Sequence, residues 1–141
     1  MIEVEHRKMF RSNGLLDDFV LYGRPSDYVA LASSVRSVID SGKPEIFQTS
    51  SHITIRIEVE EDLQELFTSL QNSDNFYASM DDWERRDILT VAGGNEVLEA
   101  LDGFLQELSA RGEGYSYLSE YSEQFAYAAE SPRWRLHVLS L

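Results

Sequence analysis

The most regular pattern in the chain is the alternation of apolar and polar side chains from His52 to Val59. Ile53, Ile55 and Ile57 fall with Val59 on one side of an extended chain, and polar residues occupy the other side. A strand with one buried face and one solvated face shows this period of two. The pattern therefore predicts a strand in a sheet that leaves one face open.

Two segments seventy positions apart follow one plan, which is a short apolar strand, a glycine turn, an amphipathic helix and a glycine stop. They are residues 19–42 and 89–112, which align without a gap and place Gly42 on Gly112. We interpret them as two pseudo-repeated strand–helix units, in which one stripe of each helix is buried. The predicted stripes are Tyr28, Leu31, Val35, Val38 and Ile39 in the first helix and Val97, Leu98, Leu101, Leu105 and Leu108 in the second.

Three helix starts are predicted from polar residues. Ser26 and Asn95 stand before the two apolar stripes, where a side-chain oxygen can accept hydrogen bonds from free backbone N–H groups. A third helix is predicted over Glu60–Asn72, because its acidic opening suits a helix N-terminus. Its apolar residues at helical spacing are Leu63, Leu66, Phe67 and Leu70.

The remaining segments complete one α+β domain over residues 1–141. Tyr115–Tyr121 and Trp134–Leu139 alternate in the manner of strands, whereas Asp74–Arg86 is polar and predicts an ordered loop or a short helix. We expect a single sheet of five or six strands with the helices packed on one face. The other face would then be available to a partner.

Composition places the chain among folded, non-membrane proteins. Its 141 residues are 43% hydrophobic, which is enough for a stable core, and they include no cysteine that could form a disulfide or a thiolate metal site. The N-terminal sequence MIEVEHRKMF has no apolar run of the kind found in secretory signals, and no segment is apolar for long enough to span a bilayer. We therefore expect a cytoplasmic protein.

Negative charge is concentrated in one part of the sequence. Between Glu58 and Glu123, seventeen acids face only three bases, whereas the rest of the chain has eight acids and nine bases. This acidic stretch, Glu58–Glu123, should repel nucleic acid and anionic lipid and attract a cationic protein. The alternative is that the acids serve only to keep the domain in solution.

No catalytic motif is present in the sequence. The three histidines, His6, His52 and His137, form no ligand pair, and neither repeated unit carries a nucleophile elbow or a phosphate-binding glycine loop. The cluster from Glu58 to Asp62 lacks the ligand spacing of a calcium loop, so helix N-terminal charge is its expected role. We predict neither enzyme activity nor a metal or cofactor.

Aromatic residues occur among acids at two places in the acidic stretch and just beyond it. Tyr and Trp supply large contact areas at interfaces, and carboxylates beside them can pair with Arg or Lys of a partner. The alternative is that these rings belong to the core. The two groups are Phe76, Tyr77, Asp81, Asp82, Trp83 and Glu84, and then Tyr115, Tyr117, Glu120, Tyr121, Glu123 and Tyr127.

Most of the chain after Leu15 resembles the small bacterial immunity proteins that accompany polymorphic toxins, and it is most similar to the family numbered thirty-two. The resemblance lies in LYGRPSDYVALAS, ILTVAGGNEVLEALDGFLQEL and YSYLSEYSEQFAYAAESPRWRLHV. Tyrosines stand here where that family has a histidine-rich strand, and Asp74–Arg86 has no counterpart in it.

The resemblance implies stoichiometric inhibition of a cognate toxin by a monomer or weak homodimer that binds neither nucleic acid nor membrane. Nuclease toxins expose Lys and Arg to hold phosphates, so an acidic, aromatic surface could occupy such a site. The expected contact residues are Asp81, Asp82, Trp83, Glu84, Tyr117, Glu120, Tyr121, Glu123 and Tyr127.

Two other classes of function stay open on the sequence alone. An acidic secretion chaperone is also small and α+β, and it would hold an extended effector segment, usually as a homodimer. A small-molecule-binding domain built on repeated units is the third possibility, and it would require a deep pocket with converging polar groups.

Overall fold

The described residues of the chain form two α-helices and nine strands in a computed structural model. The structure describes residues 1–11, 14–71, 87–117, 126–127 and 133–139, and for 7–11, 14–18, 71, 117, 126–127 and 133 it describes the backbone alone. In chain order the elements are β1 (Glu3–Arg11), β2 (Gly14–Gly23), α1 (Pro25–Ser41), β3 (Glu45–Phe47), β4 (Thr54–Val59), β5 (Glu65–Gln71), β6 (Ile88–Gly93), α2 (Asn95–Arg111), β7 (Gly114–Tyr117), β8 (Ala126–Tyr127) and β9 (Arg133–Val138).

The strands divide into two sheets, so the fold is α+β, but the predicted single sheet of five or six strands is not confirmed. The first sheet has the order β1-β2-β9-β7 and the second has the order β3-β4-β6-β5, with the two-residue β8 added at the edge of β5. The predicted strands at the start of each repeated unit, at His52–Val59 and at Trp134–Leu139 are all present as β2, β6, β4 and β9. Of the strand predicted at Tyr115–Tyr121, the described part forms β7.

Each sheet joins strands from the two halves of the chain. In the first sheet β2 pairs in parallel with β9, with Phe19 opposite Trp134. In the second, β4 pairs in parallel with β6, with Ile55 opposite Leu89. The first half of the chain therefore completes its sheets only with strands from the second half.

The two helices lie where the apolar stripes predict them, but their N-caps are not the predicted residues. Both helices have seventeen residues, and Gly42 ends α1 in the left-handed conformation with its N–H donating to the Val38 carbonyl at 2.8 Å. Ser26 is not the cap of α1, because the helix begins at Pro25 after Arg24, whose N–H donates to the Asp27 carboxylate at 2.9 Å. Asn95 is likewise the first helical residue of α2 rather than its cap.

A single hydrophobic core lies between the helices and the inner faces of both sheets. Every residue of the predicted stripes is buried in it except Ile39, which packs partly buried against it. At its centre is a small, wholly apolar cavity. The cavity is lined by Leu31, Val35, Leu101 and Leu105 from the helices and by Ile55, Ile57, Val91, Trp134 and Leu136 from the two sheets.

The helix predicted over Glu60–Asn72 is wrong, because residues 65–71 form strand β5. Burial there alternates with a period of two, since Leu66, Thr68 and Leu70 are buried and Phe67 is 37% exposed. Pairing with β6 on one side and β8 on the other outweighs the helical spacing of the apolar residues. The acidic opening forms a turn instead, in which the Leu63 N–H donates to the Glu60 carbonyl at 3.0 Å.

The connection between β3 and β4 covers the outer edge of β1. The Ser50 N–H donates to the Ile2 carbonyl at 2.8 Å, and the Ser51 hydroxyl accepts from the Val4 N–H and donates to the Val4 carbonyl. In the other half, β8 comes from the connection between β7 and β9 and covers the edge of β5. In each sheet, a connecting segment thus pairs with part of one strand edge.

Candidate functional site

The predicted contact residues lie outside the part of the chain whose side chains are described. The backbone of Tyr117 is at the end of β7 and that of Tyr127 is in β8. The other contact residues lie outside the described residues, and so does the whole predicted loop at Asp74–Arg86. They are Asp81, Asp82, Trp83, Glu84, Glu120, Tyr121 and Glu123. Their role in binding stays a prediction.

Eight of the eleven described acids of the acidic stretch are exposed, whereas Glu58 and Asp87 are partly buried and Asp102 is buried. Four of the exposed acids surround the turn between β4 and β5, and three follow the exposed side of α2 at helical spacing. The exposed acids are Glu60, Glu61, Asp62, Glu65, Glu96, Glu99, Glu107 and Glu113. Arg111 is the sole base of this stretch among the described residues, and Arg36 of α1 pairs with Glu99 at 3.6 Å, so the surface around α2 is mainly but not wholly acidic.

A groove of about 690 Å³ separates this turn from the start of α2. It is held open by backbone bonds, because the Gly94 N–H donates to the Leu63 carbonyl at 2.9 Å and the Glu60 N–H donates to the Gly93 carbonyl at 2.9 Å. The side chains of Glu61 and Glu96 line it. The groove can therefore accept a cationic side chain.

One acid of α2 has a structural role instead. Asp102 is 6% exposed and lies between the helices, where its carboxylate accepts from the Arg36 guanidinium of α1 at 2.8 Å and from the Gln106 amide at 3.2 Å. The hydrogen bond to Asp102 raises the pKa of Arg36 above its ordinary value, and nearby Asp40 and Glu99 add to this effect. This ion pair joins α1 and α2.

A row of polar and aromatic side chains crosses the outer face of the first sheet, opposite the core. The rings of Tyr22 and His137 stack at 5.1 Å between centroids, those of His137 and Tyr115 stack at 5.3 Å, and the Arg135 guanidinium lies 5.7 Å from the Tyr115 ring. The Tyr22 hydroxyl donates to the Glu5 carboxylate at 3.1 Å. We call Tyr22, His137, Tyr115 and Arg135 the cross-sheet row.

Arg135 has an unusual environment for an arginine in an acidic protein. Its Nε atom is buried without a hydrogen-bond partner, and in the described part of the chain its guanidinium forms no ion pair. The Tyr115 ring that it faces is 60% exposed. Because a planar guanidinium held by an aromatic ring is oriented for bidentate pairing, Arg135 is suited to bind a carboxylate or a phosphate.

The end of the cross-sheet row meets a second groove, of about 350 Å³, between the end of α2 and β7. Tyr115 forms one wall of it, and Leu108, Arg111 and Glu113 form others. Arg111 is tied to the Ser116 hydroxyl, which leaves the exposed Glu113 carboxylate as the free charge beside the ring. The described surface thus places an arginine and a carboxylate on either side of one exposed tyrosine.

Sequence reasoning missed the cross-sheet row because its members come from positions 22, 115, 135 and 137 and meet only through the pairing of β2, β9 and β7. In the sequence, His137 belongs to no ligand pair. Tyr115 and His137 each occur in a predicted strand, but the sequence does not show that these two strands are neighbours.

The described residues contain no cluster of three or more His, Cys, Asp or Glu side chains that could hold a metal ion. Neither of the two described helices has the length and apolar character needed to cross a bilayer. Comparison with protein families, with curated proteins and with solved structures finds no match to the chain.

Proposed function

We propose that the protein is an immunity protein, which binds a cognate toxin domain with a cationic surface in the cytoplasm of the producing cell and neutralises it. The observation that carries this proposal is the exposure of eight acids around α2 and the turn between β4 and β5, of which Glu99 alone has an ion pair among the described residues, with Arg36. Such a surface accelerates encounter with a positively charged protein and excludes nucleic acid. The proposed role is stoichiometric binding and not catalysis.

A nuclease is the class of toxin that best suits this surface. Nucleases hold phosphates with Lys and Arg, and carboxylates can replace those phosphates in charge-assisted hydrogen bonds. The grooves beside Glu61 and Glu113 supply concave positions for such basic side chains. The exposed ring of Tyr115 on the first sheet adds aromatic contact area.

The internal correspondence of the chain also enters the proposal. Helices of equal length begin seventy residues apart, at Pro25 and Asn95, and each follows a strand that pairs in parallel with a strand of the other half. We infer two pseudo-repeated units of one domain. Only the second unit carries the acidic helix face, so the two units differ in binding role.

The proposal is tested with the C-terminal domain encoded by the gene immediately upstream, carrying a substitution that inactivates it as a toxin. We expect tight one-to-one binding whose association rate falls steeply with added salt. Glu61→Lys together with Asp62→Lys should slow association by about tenfold, since steering changes such rates by factors of about 10 or more.

The matched control is Asp40→Lys together with Glu45→Lys, which changes the net charge equally outside the acidic stretch. Equal slowing of association by both pairs of substitutions would show that the rate depends only on the net charge of the chain. Absence of binding by the unmodified chain would refute the proposal, and a homodimer that holds an extended segment would indicate the secretion chaperone. Reversal of Asp81, Asp82 and Glu84 together tests the predicted contact residues in the same assay.

A further inference from the structure

We propose that the cross-sheet row anchors the partner, and that it does so by binding a carboxylate that lies among basic residues on the partner surface. This inference rests on the proposed function and adds the chemistry of the contact. In this arrangement the acids around α2 set the rate of encounter, while the outer face of the first sheet sets the lifetime of the complex.

The first argument is the state of Arg135. A buried Nε without a hydrogen-bond partner costs free energy, and a chain with twenty-five acids and twelve bases offers many carboxylates that could have paired with it. Among the described residues none does so. The buried Nε itself is out of reach, but Arg135 is partly exposed, so an incoming carboxylate would pair with the accessible side of the guanidinium.

The second argument is the rigidity and composition of the row. Stacking of Tyr22 on His137 and of His137 on Tyr115 fixes three rings across β2, β9 and β7, so little side-chain entropy is lost on binding. Val20 lies beside Arg135 on the same face of the sheet and is 4% exposed, which adds a buried apolar neighbour to the row. Tyr and Arg are the residue types that most often dominate interface affinity.

The third argument is charge complementarity. Carboxylates flank the row at both ends, with Glu3 and Glu5 on β1 and Glu113 in the groove beside Tyr115. Only Arg135 provides a fixed positive charge on the described part of this face. The complementary surface therefore has a carboxylate at its centre and Lys or Arg on either side.

That pattern is the chemistry of a metal-dependent nuclease site, where carboxylates hold Mg²⁺ and basic residues hold phosphates. A partner surface of basic residues alone would pair with the acids but would repel Arg135. The row therefore favours a contact at or beside such a site over a contact with a uniformly basic exosite.

The test compares dissociation rates from the inactivated toxin domain at fixed salt. We expect Arg135→Ala and Tyr115→Ala each to raise the dissociation rate at least tenfold while changing the association rate less than twofold. Arg135→Lys should recover only part of the loss, because an ammonium cannot pair bidentately. Lys43→Ala and Ile46→Ala, at an exposed base and an exposed apolar residue elsewhere, serve as matched controls with no expected effect.

A second measurement needs no substitution. Hydrogen exchange of the backbone of residues 112–117 should slow in the complex with the unmodified chain. Binding by the unmodified chain with unchanged dissociation of both alanine variants would overturn this inference and leave the proposed function standing. Absence of any binding by the unmodified chain would refute both the inference and the proposed function. If the chain forms a homodimer that Arg135→Ala disrupts, the row binds a second copy of the chain and the inference is overturned.

Discussion

Gly103 is an exposed glycine in the middle of α2, and a Cβ there would have no heavy atom within 4 Å. Because glycine in a helix interior costs about 0.5–1 kcal/mol relative to alanine, Gly103→Ala should stabilise the chain by about that amount. Urea unfolding measures the change. Gly42→Ala is the control, since its surroundings are equally open but its φ of 70° strains any other residue, so it should destabilise by about 1 kcal/mol.

Tyr28 is completely buried, and its hydroxyl donates to the carbonyls of Leu21 and His137 at 3.2 and 2.6 Å. Tyr28→Phe should therefore lower the free energy of unfolding by about 1–2 kcal/mol at neutral pH. The stability falls because phenylalanine leaves the buried Leu21 and His137 carbonyls without this hydrogen-bond donor.

The same substitution has a pH signature. Burial raises the pKa of the Tyr28 phenol, with the Asp27 charge as a smaller cause. The unfolded chain releases this proton near the ordinary phenol pKa of about 10, whereas the folded chain retains it. The stability that Tyr28 contributes is thus fully present below pH 10 and is lost as the pH rises beyond it. The difference between the chain and its Tyr28→Phe variant should shrink between pH 9 and 11, and a constant difference would contradict this account.

At the scale of elements, the contact between α1 and α2 depends on the ion pair of Arg36 and Asp102. Arg36→Ala leaves a nearly buried carboxylate with only the Gln106 amide, so it should destabilise the chain more than Arg36→Ala and Asp102→Ala do together. A double-mutant cycle by urea unfolding measures this coupling. Additive effects would show that the pair contributes nothing to helix packing. Lys43→Ala, an exposed base after α1, is the control.

Elements whose burial pattern is local could be predicted from the sequence, and elements defined by a neighbour could not. The sequence alone predicts α1 and α2 from their apolar stripes and β4 from its alternation. For residues 65–71 the spacing of Leu66 and Leu70 fits a helix equally well, and only the pairing with β6 makes them a strand. The division into two sheets also depends on long-range pairing, which explains why one sheet was expected. At the candidate site, the sequence predicts the negative charge of the acidic stretch. It does not predict that the four residues of the cross-sheet row lie together, because they are distant in sequence.

The whole molecule should not separate into independently folding halves. A chain divided within residues 72–86 would place β2 and β4 in one fragment and their parallel partners β9 and β6 in the other. We expect each fragment alone to lack the circular dichroism of folded strands and the mixed fragments to regain it. Stable folding of either fragment by itself would contradict the interleaved topology.

The intact chain should likewise unfold in one transition. In a Trp83→Phe background, the fluorescence of Trp134 reports on the first sheet, while far-ultraviolet circular dichroism reports on all elements. Because one core contacts both sheets, the two signals should give the same midpoint in urea. Separate midpoints would indicate that the sheets are independent.

The parallel pairing of β2 with β9 also sets when the protein becomes functional during translation. β2 ends at Gly23, but its partner begins at Arg133, so the ribosome must make almost the entire chain before the first sheet can close. Until then β2 presents an open edge, which proteases and other nascent chains can attack. A premature stop codon before residue 133 should therefore yield no folded product, however much of the acidic stretch has been synthesised.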